Sequence, residues 1–221
     1  MKIYVIGDDH QTAVIKEKVN PDLQVEVQER ALDIPGTGEA VVFDFRVDDS
    51  PDDLVDYAGK PDIHLFINAT RTSLAELAFF TGGDNPALYG MAADPTFLER
   101  PLLEVSALHG NKDKADELLA KLGLAAVRVD DRVGMVTPRV IAMIINEAYY
   151  TVMEGTATRD AIDTGMQLGT NYPLGPFAWA KAWGLGHVYE LLEALYHDTH
   201  DERYKICPLL KQEYLQPGYS A

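Results

Sequence analysis

Residues 171–186 read NYPLGPFAWAKAWGLG, from Asn171 to Gly186. Pro173, Gly175 and Pro176 follow directly on an amphipathic segment, and a second apolar segment comes after them. A proline suits the first position of a helix, because its missing N–H would have no partner there in any case. Gly175 offers a backbone site where positive φ is cheap. The stretch predicts a sharp helix–turn–helix corner, with Tyr172, Phe177, Trp179 and Trp183 available to pack around it. By itself that is a corner in a helical domain and nothing more.

The surroundings extend the helical reading. From Val140 to Glu154 the apolar residues Val140, Ile141, Ile144, Ile145, Ala148, Tyr149 and Val152 recur at spacings of three and four, which defines one helix face. Pro138 suits the first turn and Gly155 the end of that helix. Thr158 is an N-cap for a helix to about Leu168, with Asp160 and Asp163 near its positive end and Gly169 as its stop. Further helices are predicted over Pro176–Ala182, Leu185–Tyr196 and Leu209–Leu215.

Upstream of about residue 130 the period changes. KIYVIG (Lys2–Gly7), LQVEVQ (Leu23–Gln28), AVVFDF (Ala40–Phe45) and IHLFINA (Ile63–Ala69) read as strands. Short strands follow at Leu88–Met91, Leu102–Ser106 and Ala125–Val129. Gln11–Val19 and a piece near Asp52–Tyr57 have helical character, and NKDKADELLAKL (Asn111–Leu122) is an amphipathic helix closed by Gly123. Strands separated by short helical segments predict a mostly parallel sheet with right-handed crossovers. The expectation is an α/β Rossmann-like parallel sheet domain over 1–130, shortened, followed by an all-α domain over 131–221.

Composition narrows the function classes. Of 221 residues 47% are apolar, enough for a sizeable core. Nineteen Lys and Arg against 35 Asp and Glu give a net charge of −16, which argues against nucleic acid and anionic membrane surfaces as partners. Cys207 is the single cysteine, so no internal disulfide forms. The opening MKIYVIGDDH has too short an apolar run for a signal peptide. No run approaches the roughly 18 apolar residues of a membrane span. The expectation is a cytoplasmic protein without nucleic-acid or membrane partners.

Gly134 to Gly186 carries a series of landmarks: Asn146-Glu147-Ala148, Gly155, Ile162-Asp163, Met166, Leu168-Gly169, Tyr172-Pro173, Gly175-Pro176-Phe177 and Gly184-Leu185. In this register the run resembles the C-terminal domain of the 3-hydroxyacyl-CoA dehydrogenases. The likeness continues less distinctly through Tyr204 and Pro208-Leu209-Leu210. It implies a dinucleotide-binding Rossmann fold before a helical domain that closes the cleft and forms a dimer interface. The N-terminal half fits more loosely. Thr72-Ser73-Leu74 falls where the family has Ser-Ser-Leu, Gly90-Met91 where its His-Phe-Phe-Asn-Pro segment begins, and Leu102–Val105 on the following strand.

The resemblance also implies a chemistry, in which a 3-hydroxyl is oxidised by hydride transfer to NAD. A histidine oriented by a glutamate takes the proton, and a serine and an asparagine position the substrate. Glu104 falls on the glutamate position and Thr72, still a hydroxyl, on the serine position. Counting back from Glu104 puts the histidine position at Ala92, and the asparagine position is Pro138. Two of the four polar roles are therefore absent. His64 and His109 do not fall on the motif and are expected to be surface or packed residues. Glu104 has a second reading as a strand-end carboxylate satisfied by neighbouring backbone.

The cofactor loop departs further. The G-x-G-x-x-G fingerprint becomes Gly7-Asp8-Asp9-His10-Gln11-Thr12, in which only Gly7 matches. Asp8 and Asp9 place negative charge where a pyrophosphate would lie, and two unit charges about 4 Å apart repel by roughly 4 kcal/mol at a dielectric of 20. Helix capping is the reading favoured for these aspartates. Glu29, near the end of the second strand, suits a ribose contact or a solvated strand end equally. The long helices that help form the family's acyl-CoA site have no counterpart between the second strand and AVVFDF. Taken together, the expectation is a degenerate homologue of acyl-CoA and fatty acid metabolism: a non-catalytic, dimeric binding or scaffolding protein, without a cofactor. The alternative is an NAD-linked oxidoreductase of the same type with an altered active site. Expected partners are a second copy, through the helical domain, and an acyl-CoA.

Overall fold

The computed structural model describes residues 1–81 and 87–216. The chain divides into two compact units, Met1–Met135 and Val136–Ala221. The helical stretch expected from sequence, 131–221, thus ends on residues 217–221, which lie outside the described residues.

The first unit is built on a seven-stranded sheet of order β2-β1-β3-β4-β5-β6-β7. The strands are β1 (Lys2–Ile6), β2 (Val25–Val27), β3 (Ala40–Asp44), β4 (Ile63–Asn68), β5 (Ala87–Met91), β6 (Leu103–Ala107) and β7 (Ala126–Arg128). Every neighbouring pair is parallel except β5 and β6. The chain returns from β5 to β6 without a crossover helix, and an antiparallel pair needs none. With β1 between β2 and β3, the winding direction reverses at β1. In open α/β sheets ligands bind outside the carboxyl ends of the strands at such a reversal.

Alternate residues of each strand feed opposite faces. Ile3, Val5, Val41, Phe43, Phe66, Tyr89 and Val105 pack under α1 (Asp9–Lys18) and α3 (Lys112–Leu122), through Ile15, Ala115, Leu118 and Leu122. Phe43, Phe66 and Tyr89 stack across three strands at centroid spacings of 5.3 and 4.6 Å. The other face, with Tyr4, Ile6, Val42, Leu65, Ile67 and Leu88, is covered more thinly. Its cover is α2 (Leu74–Phe80) and two 3₁₀ turns, Ala31–Asp33 and Pro51–Tyr57. The strand and α3 expectations match closely, and Gly123 ends α3 at φ +73°. Helix α2 was not legible in the sequence: only Leu74 and Leu77 point inward, while Phe79 and Phe80 face solvent and blur the period.

The second unit holds α4 (Thr137–Met153), α5 (Arg159–Thr170), α6 (Pro176–Trp183), α7 (Leu185–Thr199) and α8 (Pro208–Tyr214). Helix α4 buries Ile141, Ala142, Ile145, Ala148 and Tyr149, and α7 buries Leu185, Val188, Leu191, Leu192 and Leu195. Thr158 caps α5, accepting from the Ala161 N–H. Asn146 clamps the segment before α8, donating to the Lys205 carbonyl and accepting from the Cys207 N–H at 2.9 Å each.

Two expectations about this unit need correction. Gly169 does not stop α5, which runs on to Thr170 and ends at Asn171 in the left-handed region, φ +57°; an asparagine tolerates that conformation. Gly175 is not there for positive φ, since its φ is −72°. The carboxylate of Asp163 caps α6, accepting from the Phe177 N–H at 2.8 Å and the Ala178 N–H at 3.0 Å. A Cβ on Gly175 would collide with the Cα, Cβ and Cγ of Asp163. Ile162-Asp163 and Gly175-Pro176 are therefore two halves of one device that sets the corner. Among the described residues no helix is long and apolar enough to cross a membrane.

Candidate active site

At the carboxyl end of β1, Asp8 and Gln11 close the N-terminus of α1 on each other. Asp8 Oδ1 accepts from the Gln11 N–H at 2.6 Å, and Gln11 Oε1 accepts from the Asp8 N–H at 3.0 Å. This reciprocal capping box uses the donors that would face a pyrophosphate. Gly7 serves the box, since a Cβ there would lie 2.6 Å from Gln11 Oε1 and 3.1 Å from Phe45 Cδ2. Asp9 adds a second acid to the first turn. The residues present do not fit a dinucleotide bound in the fingerprint manner. Glu29 is exposed, and its carbonyl accepts from Arg46.

Helix α2 follows β4 and its N-terminus is closed too. Asp131 accepts from the Leu74 and Ala75 N–H groups at 2.8 and 2.9 Å, and Ser73 Oγ accepts from the Glu76 N–H at 3.1 Å. The Thr72 hydroxyl turns to Glu76 Oε2 at 3.4 Å. Ala92 follows β5, and its N–H donates to the Glu104 carbonyl at 3.2 Å across the antiparallel pair. Positions 92 and 104 are thus brought together. Glu104 is buried and lies within β6 rather than at its end. Pro138 is buried in the first turn of α4, in the second unit. His64 is half-buried on β4, with Nδ1 at 3.2 Å from the Tyr89 hydroxyl, and His109 is exposed. Burial pushes the His64 imidazole below its usual value.

The most concentrated polar chemistry lies at the carboxyl ends of β3, β4 and β5. Asn68 ends β4 and is buried; its Nδ2 donates to Asp48 Oδ2 at 3.0 Å and to Asp94 Oδ1 at 2.5 Å. Its Oδ1 accepts from the Ala93 N–H at 3.0 Å, which locks the amide orientation. The Thr70 hydroxyl lies 3.1 Å from Asp94 Oδ2 and 3.4 Å from Asp48 Oδ2. Arg71 Nε donates to Asp48 Oδ2 at 2.7 Å, and the same guanidinium pairs with Asp49. Two buried carboxyls thus share one amide and one hydroxyl, and the guanidinium joins Asp48 to Asp49. Burial pushes the Asp48 carboxyl up to about 6; Arg71 opposes the shift and Asp94 adds to it. Nearby, Asp44 accepts from the Tyr57 hydroxyl at 2.8 Å and from the Arg46 N–H at 3.0 Å. Burial raises the pKa of both Asp44 and Tyr57.

None of this network was anticipated from sequence. Asp48, Asn68, Thr70, Arg71 and Asp94 form no spaced motif, because the sheet topology alone assembles them. The signal present was weak: an Asn at the end of an apolar strand. Among the described residues no group of three His, Cys, Asp or Glu is placed to hold a metal ion.

Residues 134–218 match the family described as 3-hydroxyacyl-CoA dehydrogenase, C-terminal domain. Residues 134–218 thus form a 3-hydroxyacyl-CoA dehydrogenase C-terminal domain. The 3-hydroxyadipyl-CoA dehydrogenase of Escherichia coli (strain K12) is 42% identical over 109 residues, covering 49% of this chain and 23% of that protein. The probable 3-hydroxybutyryl-CoA dehydrogenase of Bacillus subtilis (strain 168) is 33% identical over 162 residues, covering 72% of this chain and 56% of that one. These matches thus span from about a quarter to just over half of the relatives' length. The crystal structure of (S)-3-hydroxybutyryl-CoA dehydrogenase from Ralstonia eutropha superposes with a TM-score of 0.74 at 20% identity, over 96% of this chain and 92% of that one. At that identity the superposition speaks for the fold alone, a Rossmann-like domain followed by a helical domain.

Proposed function

We propose that the chain acts in acyl-CoA metabolism as a 3-hydroxyacyl-CoA dehydrogenase-like oxidoreductase with an altered active site. Its ligand on this reading is a 3-hydroxyacyl-CoA or 3-oxoacyl-CoA ester, and its hydride partner is NAD. The observation that carries the reading is the reach of the Bacillus subtilis match. Its 162 aligned residues outnumber those of the helical unit, Val136–Ala221, so the likeness extends into the sheet. The pairing of position 92 with buried Glu104 supports it, since the resemblance puts the proton-carrying pair there. The capping box at α1 bears on affinity: NAD on this reading binds weakly.

Two observations favour a second reading, a non-catalytic binding or scaffolding protein. Ala92 has no proton to move, and both helix N-termini at the sheet edge are closed by the chain's own carboxylates. Either reading includes a dimer formed through the helical unit. In support, α5 buries none of its residues, and Leu168 on it is 84% exposed.

Thermal denaturation with NADH, acetoacetyl-CoA and free CoA, together with an assay of NADH oxidation by acetoacetyl-CoA, separates the readings. A ligand at about 100 times its Kd stabilises by roughly 2.7 kcal/mol, a shift of a few degrees. Stabilisation by acetoacetyl-CoA with enzyme-dependent NADH oxidation is the expected result. Stabilisation without turnover leaves the second reading, and no shift with any compound overturns the acyl-CoA assignment.

A further inference from the structure

The buried network holds one atom that its own bonds leave unserved. Asp48 Oδ2 takes the donors from Asn68 and Arg71, with the Thr70 hydroxyl at the edge of reach. Asp48 Oδ1 is buried and has no hydrogen-bond partner. The side chain as a whole is 1% exposed. A buried carboxylate oxygen without a donor carries a desolvation cost that nothing in the fold offsets. Such an atom in a native structure calls for an explanation, and one explanation is a donor that arrives from outside.

The rest of the network is arranged to keep that atom available. Asn68 cannot turn to serve it, because its Oδ1 is pinned by the Ala93 N–H and its Nδ2 is divided between Asp48 and Asp94. Arg71 is held on the other oxygen and on Asp49. Asp94 is a second acceptor and has no proton to give while ionised. Arg71 reaches from the enclosed Asp48 towards the surface: its side chain is 16% exposed and also pairs with Asp49, which is 67% exposed. The site lies at the carboxyl edge of β3–β5, the edge where sheets of this class take ligands.

We propose that Asp48 Oδ1 is the acceptor for a hydroxyl of a bound ligand, the ligand being the 3-hydroxyacyl ester of the preceding section. Arg71 and Asn68 fix the other oxygen, so the carboxylate presents a single, oriented acceptor. The role is recognition: Asp48 selects a hydroxylated acyl chain over its unhydroxylated counterpart. The raised pKa of Asp48 fits a group whose charge is only partly compensated until the donor arrives. This inference rests on the acyl-CoA reading.

Calorimetric titration of the full chain with 3-hydroxybutyryl-CoA and with butyryl-CoA, without NAD, separates the two claims. A site built to bond a hydroxyl rejects the analogue that lacks it. The wild type is expected to favour the hydroxy ester at least about tenfold, an effect of about 1.4 kcal/mol. In Asp48→Ala, which removes the acceptor, that preference falls below about threefold. Equal binding of the two esters by the wild type overturns the role of Asp48 and leaves the acyl-CoA reading standing. A preference that survives in Asp48→Ala also overturns it. Binding of neither ester overturns both. The wild-type ratio decides the matter should the variant fail to fold.

Discussion

The two units solve the same local problem, the unsatisfied N–H groups at a helix start, with different consequences. In the helical unit Asp163 caps α6 from a neighbouring helix, and the cap holds the corner that the family likeness runs through. In the sheet unit Asp8 caps α1 and Asp131 caps α2, and these caps sit where an α/β sheet would receive an anion. The helical unit uses its carboxylate to set the corner between α5 and α6. The sheet unit places its own at the carboxyl ends of the strands, beside the buried polar groups of Asp48, Asn68 and Asp94. The same chemistry therefore fixes a corner in one unit and closes two helix N-termini in the other.

The two units differ most at their glycines. Gly175→Ala forces a Cβ into the backbone and side chain of Asp163. A loss of about 4 kcal/mol is expected, at the severe end for single substitutions. Gly7→Ala meets the movable end of Gln11 and is expected to cost about 1 kcal/mol, roughly the value of the cap it disturbs. Urea denaturation of both variants measures the difference. Equal losses would mean that the corner is no more constrained than the cofactor loop.

The next effect is a pH dependence confined to the sheet unit. Asp48 faces Arg71, Asp94 and Asp49, and its pKa in the fold is about 6. A carboxyl raised on folding binds more protons in the native state than in the unfolded one between about pH 4 and 6. Its contribution therefore stabilises at low pH and is lost as pH rises through 6, by on the order of 3 kcal/mol. Asp44, also raised by burial, acts in the same direction. Asp48→Asn is expected to flatten the stability profile between pH 4.5 and about 7. A variant as pH-dependent as the wild type would place the proton uptake elsewhere.

The smallest effect on stability is the most telling for assembly. Leu168→Glu on α5 changes an exposed side chain and should alter monomer stability by less than about 0.5 kcal/mol. It should nevertheless convert a dimer to a monomer in sedimentation at micromolar concentration. A wild type that already sediments as a monomer removes the two-fold interface from the account.

Most of the fold was legible because its signals are local and periodic. The Pro176 corner, the three-four spacing of α4, the Thr158 cap and the alternation of the strands each depend on neighbours within a few residues. Where the reading failed, the cause was tertiary. Gly175 is small because Asp163 approaches it from another helix, and α5 passes Gly169 to end at Asn171. Helix α2 hid behind two exposed phenylalanines. The candidate site was legible only in part: Asp8 was read as a cap, and Ala92 and Glu104 were placed by counting. The Asp48 network joins residues up to 46 apart along the chain, from Asp48 to Asp94, and no motif announces it.

The most direct test of the whole account is the rate of NADH oxidation by acetoacetyl-CoA as NADH is raised. An altered oxidoreductase with a closed α1 N-terminus predicts an enzyme-dependent rate that climbs without saturating to about 1 mM NADH, the upper end of ordinary KM values. Saturation in the micromolar range would show that the Asp8–Gln11 box does not obstruct the dinucleotide. A rate that never leaves the enzyme-free baseline would contradict the oxidoreductase reading itself.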